Sequence, residues 1–174
     1  MRLFVASPLP PAVAETLETA LDPVVSAHPK IRWVRPAMWH VTLAFLGNLK
    51  PTALGKVEMA LFDVVPPPPF EAALGPLGAF PDTKHPHVVW IGLSVGAFPE
   101  LAEAVRAALA AKGVPYEAKP FRAHATLGRA GSRGVRGFAA TASAWTSPRT
   151  SWRVSSYVLY RSDLQPDGAV HTPL

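Results

Sequence analysis

The sequence HVTLAFLG at residues 40–47 and the sequence PFRAHATLGR at residues 120–129 determine the predicted fold of this 174-residue chain. Both contain the pattern His-x-Thr-Leu, which starts at His40 in the first stretch and at His124 in the second. Both stretches are apolar enough to form strands, and a Gly-Asn pair closes the first of them. Side chains two residues apart in a strand project from the same face, so each motif places an imidazole beside a hydroxyl.

The two motifs belong to an internal repeat in which equivalent residues are 84 positions apart, as His40 and His124 are. The same offset aligns the apolar stripes of two predicted helices and the basic-Pro pair before each histidine. The aligned pairs are Leu17 and Leu101, Leu21 and Val105, Val25 and Leu109, Arg35 and Lys119, and Pro36 and Pro120. The repeat covers roughly residues 1–47 and 85–130, and each copy is predicted to contain a strand, a helix, an extended segment and a strand. We therefore expect residues 1–174 to form one domain of two pseudo-symmetric lobes, whose His-x-Thr strands face one cleft.

The periodicity of the apolar residues, and the prolines and glycines that interrupt it, predict the helices, strands and loops along the chain. Helices are expected from Pro10-Pro11 to about residue 25, at 51–62 and at 98–109; strands at 3–6, 31–34, 70–80, 88–93, 123–129 and 154–161; a stiff connector at 66–69; a flexible basic loop at 131–137; and a turn at 166–168.

The composition is that of a globular protein with a sizeable core, since 49% of the residues are hydrophobic and 17% are charged. The absence of cysteine excludes disulfides, thiolate metal sites and a cysteine nucleophile. The formal charge of +5 favours an anionic partner, with nucleic acid first among the candidates. No apolar run is long enough for a signal peptide or a membrane span, so we expect a cytoplasmic protein without a membrane partner.

Two imidazoles can divide the proton transfers of a hydrolysis, because a neutral one acts as a base and a protonated one as an acid. The hydroxyls of Thr42 and Thr126 can donate hydrogen bonds to phosphoryl oxygens. Cleavage of a cyclic phosphodiester needs this set: a base for water, an acid for the departing ribose oxygen and donors for the charged oxygens. We predict that His40 and His124 are catalytic, with a bell-shaped pH dependence around ~6.5.

Five residues after each histidine stands another matched pair, Phe45 and Arg129. An aromatic ring and a guanidinium are both flat, so together they can sandwich a nucleobase, and Arg129 can also reach phosphate. The alternatives are that Phe45 packs in the core and that Arg129 is a solvated strand end.

No cofactor and no metal site are expected. Neither motif has a carboxylate or a second histidine at ligand spacing, and the chain has no cysteine. His85 and His87 lie at strand spacing on either side of Pro86 and are predicted to be surface residues, whereas His28 and His171 belong to no motif.

The two motif stretches resemble the paired signatures of the two-histidine phosphoesterase superfamily. The sequences MRLFVA at 1–6, RWVRP at 32–36 and LGAFP at 77–81 are similar to its bacterial and archaeal branch of RNA 2′,3′-cyclic phosphodiesterases, also called 2′-5′ RNA ligases. The resemblance covers most of the chain up to about Arg129. It implies a bilobal α+β fold with an antiparallel sheet in each lobe and the active site in the cleft between them.

The resemblance also implies a mechanism. His124 takes a proton from water, His40 protonates the leaving 3′ oxygen, and the product is an RNA 2′-phosphate. Thr42, Thr126 and Arg129 hold the phosphate, while Phe45 with Arg129 grips the base. The implied substrate is an RNA or nucleotide with a 2′,3′-cyclic phosphate end, the expected oligomeric state is a monomer, and Ala123 stands where the family pattern has Pro.

Other activities remain open at this point. A 2′-5′ RNA ligase, or a phosphodiesterase acting on 2′-5′ oligoadenylate or ADP-ribose cyclic phosphates, would share the same chemistry. A catalytically idle module that binds RNA ends is the alternative from a different class, and the intact His and Thr of both motifs argue against it.

Overall fold

The computed structural model describes residues 1–94, 96–131, 135–165 and 168–174. Within these residues it contains four α-helices and nine β-strands. The helices are α1 (Pro11–Ala27), α2 (Leu54–Phe62), α3 (Phe98–Ala111) and α4 (Phe138–Ala144). The strands are β1 (Arg2–Pro8), β2 (Arg32–Trp33), β3 (His40–Asn48), β4 (Phe70–Pro81), β5 (Pro86–Ser94), β6 (His124–Arg129), β7 (Ser151–Val154), β8 (Val158–Gln165) and β9 (Gly168–Pro173).

The nine strands form one curled sheet in the order β7-β4-β5-β6-β3-β1-β8-β9, with β2 paired to β6 as a branch. Every pairing in it is antiparallel. The first motif strand, β3, lies in the half with β1, β8 and β9, and the second, β6, lies in the half with β4, β5 and β7. The predicted two-part antiparallel α+β architecture is thereby confirmed, with the difference that the two half-sheets are joined edge to edge at the motif strands.

The helices form where the repeat predicts them. α1 begins at Pro11, where the missing N–H costs no helical hydrogen bond, and α3 has Pro99 in its first turn. Most of each apolar stripe, including Leu17 in α1 and Val105 in α3, is buried in one core against the inner face of the sheet. The opposite face of the motif strands is therefore left free for polar side chains. The prediction for Val25 is wrong: its side chain is 36% exposed, because the end of α1 turns the preceding valine toward the core instead.

The segment that precedes each motif strand forms a backbone hydrogen bond with the motif strand of the other half. The amide of Val34, just after β2, donates to the carbonyl of Leu127 on β6 at 2.8 Å. The amide of Glu117, in the equivalent connection after α3, donates to the carbonyl of Phe45 on β3 at 2.8 Å. Each half thus extends the motif strand of the other half, and this fixes the two motifs relative to one another.

The C-terminal third departs from the prediction. The prediction of a single strand at 154–161 is wrong, because the chain crosses between the lobes at 155–157. Before the crossing, β7 pairs with β4 at one end of the sheet, and after it β8 pairs with β1 in the other half. α4 and β9 were not predicted, since the sequence around Phe138 has no apolar stripe and β9 is short and exposed on its far end. Residues 132–134 of the predicted basic loop and residues 166–167 of the predicted turn lie outside the described residues.

None of the helices in the described part of the chain is long and apolar enough to cross a membrane.

Candidate active site

A β-bulge in β3 decides which of its side chains reach the site. The register with β1 shifts between Val5 and Ala6, which leaves Leu43 as an extra residue without a partner. After this extra residue, Phe45 pairs with Phe4. An inserted residue shifts the alternation by one position, so Phe45 projects from the same face as the motif's histidine and threonine.

The second motif strand has the same irregularity at the equivalent position. The register of β6 with β5 shifts between Val89 and Trp90, so Leu127 is the extra residue. Arg129 then pairs with Val88 and projects from the face that carries the second histidine and threonine. In each motif the candidate residues are spaced by two and then by three positions, as in His40, Thr42 and Phe45. A regular strand would place the third residue on the opposite face, and the bulge returns it to the face of the other two.

The two motif strands touch at one residue pair, Val41 and Ala125, which are 1% and 0% exposed and belong to the core. The residues on either side of this pair emerge from the opposite face because strand side chains alternate. These flanking residues are His40, Thr42, His124 and Thr126. The junction of the half-sheets thus brings both imidazoles and both hydroxyls to one place.

Each imidazole is anchored in the same way. Nδ1 of His40 lies 2.7 Å from the carbonyl oxygen of Met38, and Nδ1 of His124 lies 2.7 Å from that of Arg122. A carbonyl oxygen only accepts, so Nδ1 carries a hydrogen in both rings. Nε2 of each imidazole is therefore the atom that can gain or lose a proton.

Aromatic rings hold both histidines from the side. The ring of Phe4 is centred 4.9 Å from that of His40. The ring of Phe80 meets that of His124 edge-on at 5.1 Å, with Trp90 at 6.1 Å. This packing restricts both imidazoles and shields them from water.

Burial lowers the pKa of both imidazoles. The pKa of His40 falls to about 4, because desolvation outweighs the hydrogen bond to Met38, and His171 and His124 add repulsion to the charged form. The pKa of His124 is lowered by burial first and by the positive charge of Arg122 next. Both imidazoles are therefore predominantly neutral at pH 7 in the free protein, and the pH dependence expected around 6.5 moves toward acid.

The motif hydroxyls are available to a ligand. Among the described residues, the threonine hydroxyls that form hydrogen bonds are those of Thr16, Thr19 and Thr141. Thr42 and Thr126 are half-buried and make none within that part of the chain. Two such hydroxyls beside two imidazoles form a donor set for the oxygens of one phosphoryl group.

Phe45 and Arg129 also border this face. Phe45 is half-buried, and the guanidinium carbon of Arg2 lies 4.9 Å from its ring centre. Arg129 is exposed to solvent and pairs with Arg32 of β2. Phe45 is therefore not a core residue, and Arg129 is a strand end that borders the site.

The LigT-like phosphoesterase family model matches residues 8–90 of the chain, which include the first motif. A protein of Archaeoglobus fulgidus named RNA 2′,3′-cyclic phosphodiesterase is 35% identical over 130 residues, which cover 74% of this chain and 72% of that protein. The chain belongs to the LigT-like phosphoesterase family. The predicted superfamily and the prediction of an enzyme are thereby confirmed.

Solved structures extend the similarity to the whole phosphoesterase chain, including the second motif. A crystal structure of a Thermus thermophilus protein matches with a TM-score of 0.78 and 30% identity, over 100% of this chain and 95% of that one. LigT of Escherichia coli in complex with 3′-AMP matches with a TM-score of 0.75 and 27% identity, over 99% and 94% of the two chains. Both lobes of this phosphoesterase thus share the LigT fold.

Sequence reasoning missed His171 at the site of this phosphoesterase. Its ring meets that of His40 at 5.3 Å and 80°, and it meets Phe4 at 4.8 Å. His171, His40 and Tyr160 line a small cavity of about 40 Å³. Nδ1 of His171 is buried and has no hydrogen-bond partner within the described residues. No motif marks this histidine, because the β8–β9 hairpin alone brings it to the site.

The other histidines of the phosphoesterase lie away from the site. His85 and His87 are exposed, as predicted, and His85 lies 3.5 Å from Asp82. His28 is buried, and its Nε2 lies 2.9 Å from the hydroxyl of Thr141, which ties the end of α1 to α4. Across the residues that the structure describes, no three His, Cys, Asp or Glu side chains are grouped as metal ligands. The metal-free mechanism itself stays a prediction.

A larger groove of about 420 Å³ lies beside α3 and contains neither motif histidine. Arg106 lines it and donates hydrogen bonds to the carbonyls of Leu43 and Lys119, which attach α3 to the first motif strand. This arginine has a structural role, and the groove is separate from the site at the junction of the half-sheets.

Proposed function

We propose that this phosphoesterase hydrolyses RNA 2′,3′-cyclic phosphate ends to 2′-phosphates by general acid–base catalysis, with His124 as the base and His40 as the acid. The observation that carries the proposal is the pair of histidines with equivalent Nδ1 anchors on one face of the β3–β6 junction. The name of the Archaeoglobus relative supports the cyclic phosphate as substrate. The 3′-AMP in the LigT complex supports a nucleotide ligand.

The reaction breaks the bond between phosphorus and the 3′ oxygen. Nε2 of His124 accepts a proton from water as the water oxygen bonds to phosphorus. The protonated Nε2 of His40 gives its proton to the 3′ oxygen as that oxygen leaves. The products are a 2′-phosphate and a free 3′ hydroxyl, and solvent restores the starting protonation states. Because both histidines have the same anchor, the assignment of acid and base follows the family resemblance.

The low pKa of His40 is compatible with its role as the acid once substrate is bound. The cyclic phosphate is an anion, and an anion within a few ångströms of an imidazole favours its protonated form. We propose that substrate binding raises the pKa of His40 and so loads the acid with its proton, whereas His124 begins as the neutral base. The hydroxyls of Thr42 and Thr126 donate to the phosphoryl oxygens, and Arg129 neutralises their charge.

Phe45 is proposed to bind the terminal base, with Arg129 as the opposite side of the clamp. Arg2 covers part of the Phe45 ring in the free protein. The stacking contact therefore forms on the uncovered part of the ring or after Arg2 has moved aside. Such stacking tolerates any of the four bases.

The proposal includes a monomer that works in the cytoplasm. Both histidine motifs lie on one chain, so the site needs no second copy, and a role on RNA ends is consistent with that compartment.

The experiment is steady-state hydrolysis of nucleoside 2′,3′-cyclic phosphates in excess chelator, with the position of the product phosphate determined by NMR. We expect turnover at an undiminished rate and the 2′-phosphate as the product. A 3′-phosphate product would contradict the assigned bond cleavage. Activity lost in chelator and restored by one divalent ion would contradict the metal-free mechanism. Absence of turnover on any cyclic phosphate would favour the binding module.

A further inference from the structure

Three arginines from three different strands lie close enough together beside the site for their charges to interact. Arg32 of β2 pairs directly with Arg129 of β6, so their side chains project from the same face. Arg2 of β1 extends over the ring of Phe45, with its guanidinium carbon 4.9 Å from the ring centre. Partial desolvation is the largest cause that lowers the pKa of Arg129, and the positive charges of Arg32 and Arg2 lie near enough to lower it further.

No acidic side chain offsets this charge in the described part of the chain. The ion pairs there are those of His85 with Asp82, Lys112 with Asp63, Lys119 with Glu117, and Arg161 with Asp163. None of the three clustered arginines takes part. Three neighbouring guanidinium groups without a counterion repel one another, and an anionic ligand relieves that repulsion.

The cluster adjoins the catalytic pair. Arg2 lies near enough to His171 to contribute to the lowering of the pKa of that imidazole, after the larger effect of burial. The ring of His171 is in turn 5.3 Å from that of His40. Arg129 follows the second motif on the same strand face, so a ligand held at the histidines extends toward the arginines.

We propose that Arg2 and Arg32, on the far side of Arg129 from the histidines, form a second phosphate subsite that binds the phosphate on the 5′ side of the terminal nucleoside. The inference rests on the proposed hydrolysis of cyclic phosphate ends at His40 and His124. One phosphate occupies the histidines and threonines, and the terminal nucleoside lies beside Phe45. The next anion along an RNA strand is the 5′ phosphate of that nucleoside. The enzyme therefore prefers an RNA end, or a 5′-phosphorylated nucleotide, to a nucleoside that carries only the cyclic phosphate.

The test uses reaction products, so that binding is measured without turnover. Calorimetry compares the Kd of a nucleoside 2′-monophosphate with that of the matching 2′,5′-bisphosphate at low ionic strength. We expect the bisphosphate to bind about tenfold more tightly, an advantage that shrinks with added salt because the contact is electrostatic. Equal affinities for the two products would overturn the proposal.

The variants Arg2→Gln and Arg32→Gln should reduce this advantage to about twofold, while Arg32→Lys retains more of it because the charge remains. Arg153→Gln is the matched control, because Arg153 is exposed on β7 at the far end of the sheet and its loss should leave the ratio of the two Kd values intact. A ratio that falls equally in the control would show a general charge effect and refute a local subsite. Thermal unfolding establishes that each variant is folded, and the comparison in the wild-type protein needs no variant.

The outcomes separate this proposal from the function on which it rests. Hydrolysis of cyclic nucleotides without a preference for the 5′ phosphate would refute the subsite alone. A preference for the bisphosphate in a protein that hydrolyses no cyclic phosphate would retain the subsite and refute the proposed function.

Discussion

At the scale of the residue, the site is defined by the atom that each imidazole leaves free. The carbonyls of Met38 and Arg122 hold Nδ1 of the two histidines, and burial lowers both pKa values. A hydrogen bond to a carbonyl fixes the ring orientation, and a low pKa makes the charged form depend on a nearby anion. We expect the two effects together to make the proton state of the site respond to a bound anion.

The first prediction concerns pH. Because both pKa values lie below 6.5 in the free protein, the profile of kcat/KM, which reports the free enzyme, should lie on the acid side of ~6.5. The kcat profile reports the substrate-bound enzyme and should lie closer to neutral, since the phosphate anion raises the pKa of His40. NMR titration of the imidazoles with and without a bound 2′-phosphate measures the same shift directly. A His40 pKa that is unchanged by the ligand would contradict the proposed loading of the acid.

The second prediction concerns His171 as a positioning residue. His171→Phe keeps a ring against Phe4 and removes a titrating group beside His40, so the pKa of His40 should rise by less than about one unit. The pKa of His124 should stay the same, because its environment does not include His171. His171→Asn is the companion variant, which removes the charge but also the ring packing. Equal shifts at both motif histidines, or none at His40, would show that His171 only fills space.

The third prediction concerns Phe45. Phe45→Ala should raise KM through the loss of a stacking contact of ~1–3 kcal/mol, with a smaller effect on kcat. Phe45→Leu keeps apolar volume without a flat ring, so it should lose affinity in the same way and retain stability. If the leucine variant has wild-type KM, stacking on Phe45 is not part of substrate binding.

At the scale of the element, the bulges at Leu43 and Leu127 are what the sequence did not reveal. The His-x-Thr-Leu repeat predicts both motif strands, and it predicts that Phe45 and Arg129 are equivalent. Regular alternation would nevertheless place them on the core face. The break between β7 and β8 at 155–157 was also not predictable. The partner of each strand is far away in the sequence, β4 for β7 and β1 for β8, and local residue patterns do not identify it.

The fourth prediction tests the contact between β2 and β6. A Cβ added at Gly128 would lie 2.6 Å from Cγ2 of Ile31 and 3.3 Å from the carbonyl oxygen of Arg32. Gly128→Ala should therefore destabilise the fold by about 1–3 kcal/mol and displace the β2 segment from β6. Gly131→Ala is the matched control, since a Cβ there meets no atom of the described residues within 4 Å. Urea unfolding measures both, and equal stabilities of the two variants would contradict the close contact.

At the scale of the whole molecule, the site lies where the two half-sheets join. Each repeat supplies one histidine, and the motif strands share a single residue pair while each connecting segment crosses to the other half. The offset of 84 residues between His40 and His124 made this pairing predictable. The approach of His171 and of the three arginines was not predictable, because it depends on where β1, β2 and β9 pack in the finished sheet.

The central claim is that the two histidines have different roles on one phosphate, and a substrate whose 3′ oxygen is replaced by sulfur tests it most directly. A thiolate leaves without protonation, so the acid is no longer needed while the base still is. On the natural cyclic phosphate, His40→Ala and His124→Ala should each lose ~10²–10⁴-fold in rate. On the 3′-thio substrate, His40→Ala should recover most of its activity and His124→Ala should stay inactive. Rescue of His124→Ala instead would reverse the roles, and near-normal rates of both variants on the natural substrate would contradict the two-histidine mechanism.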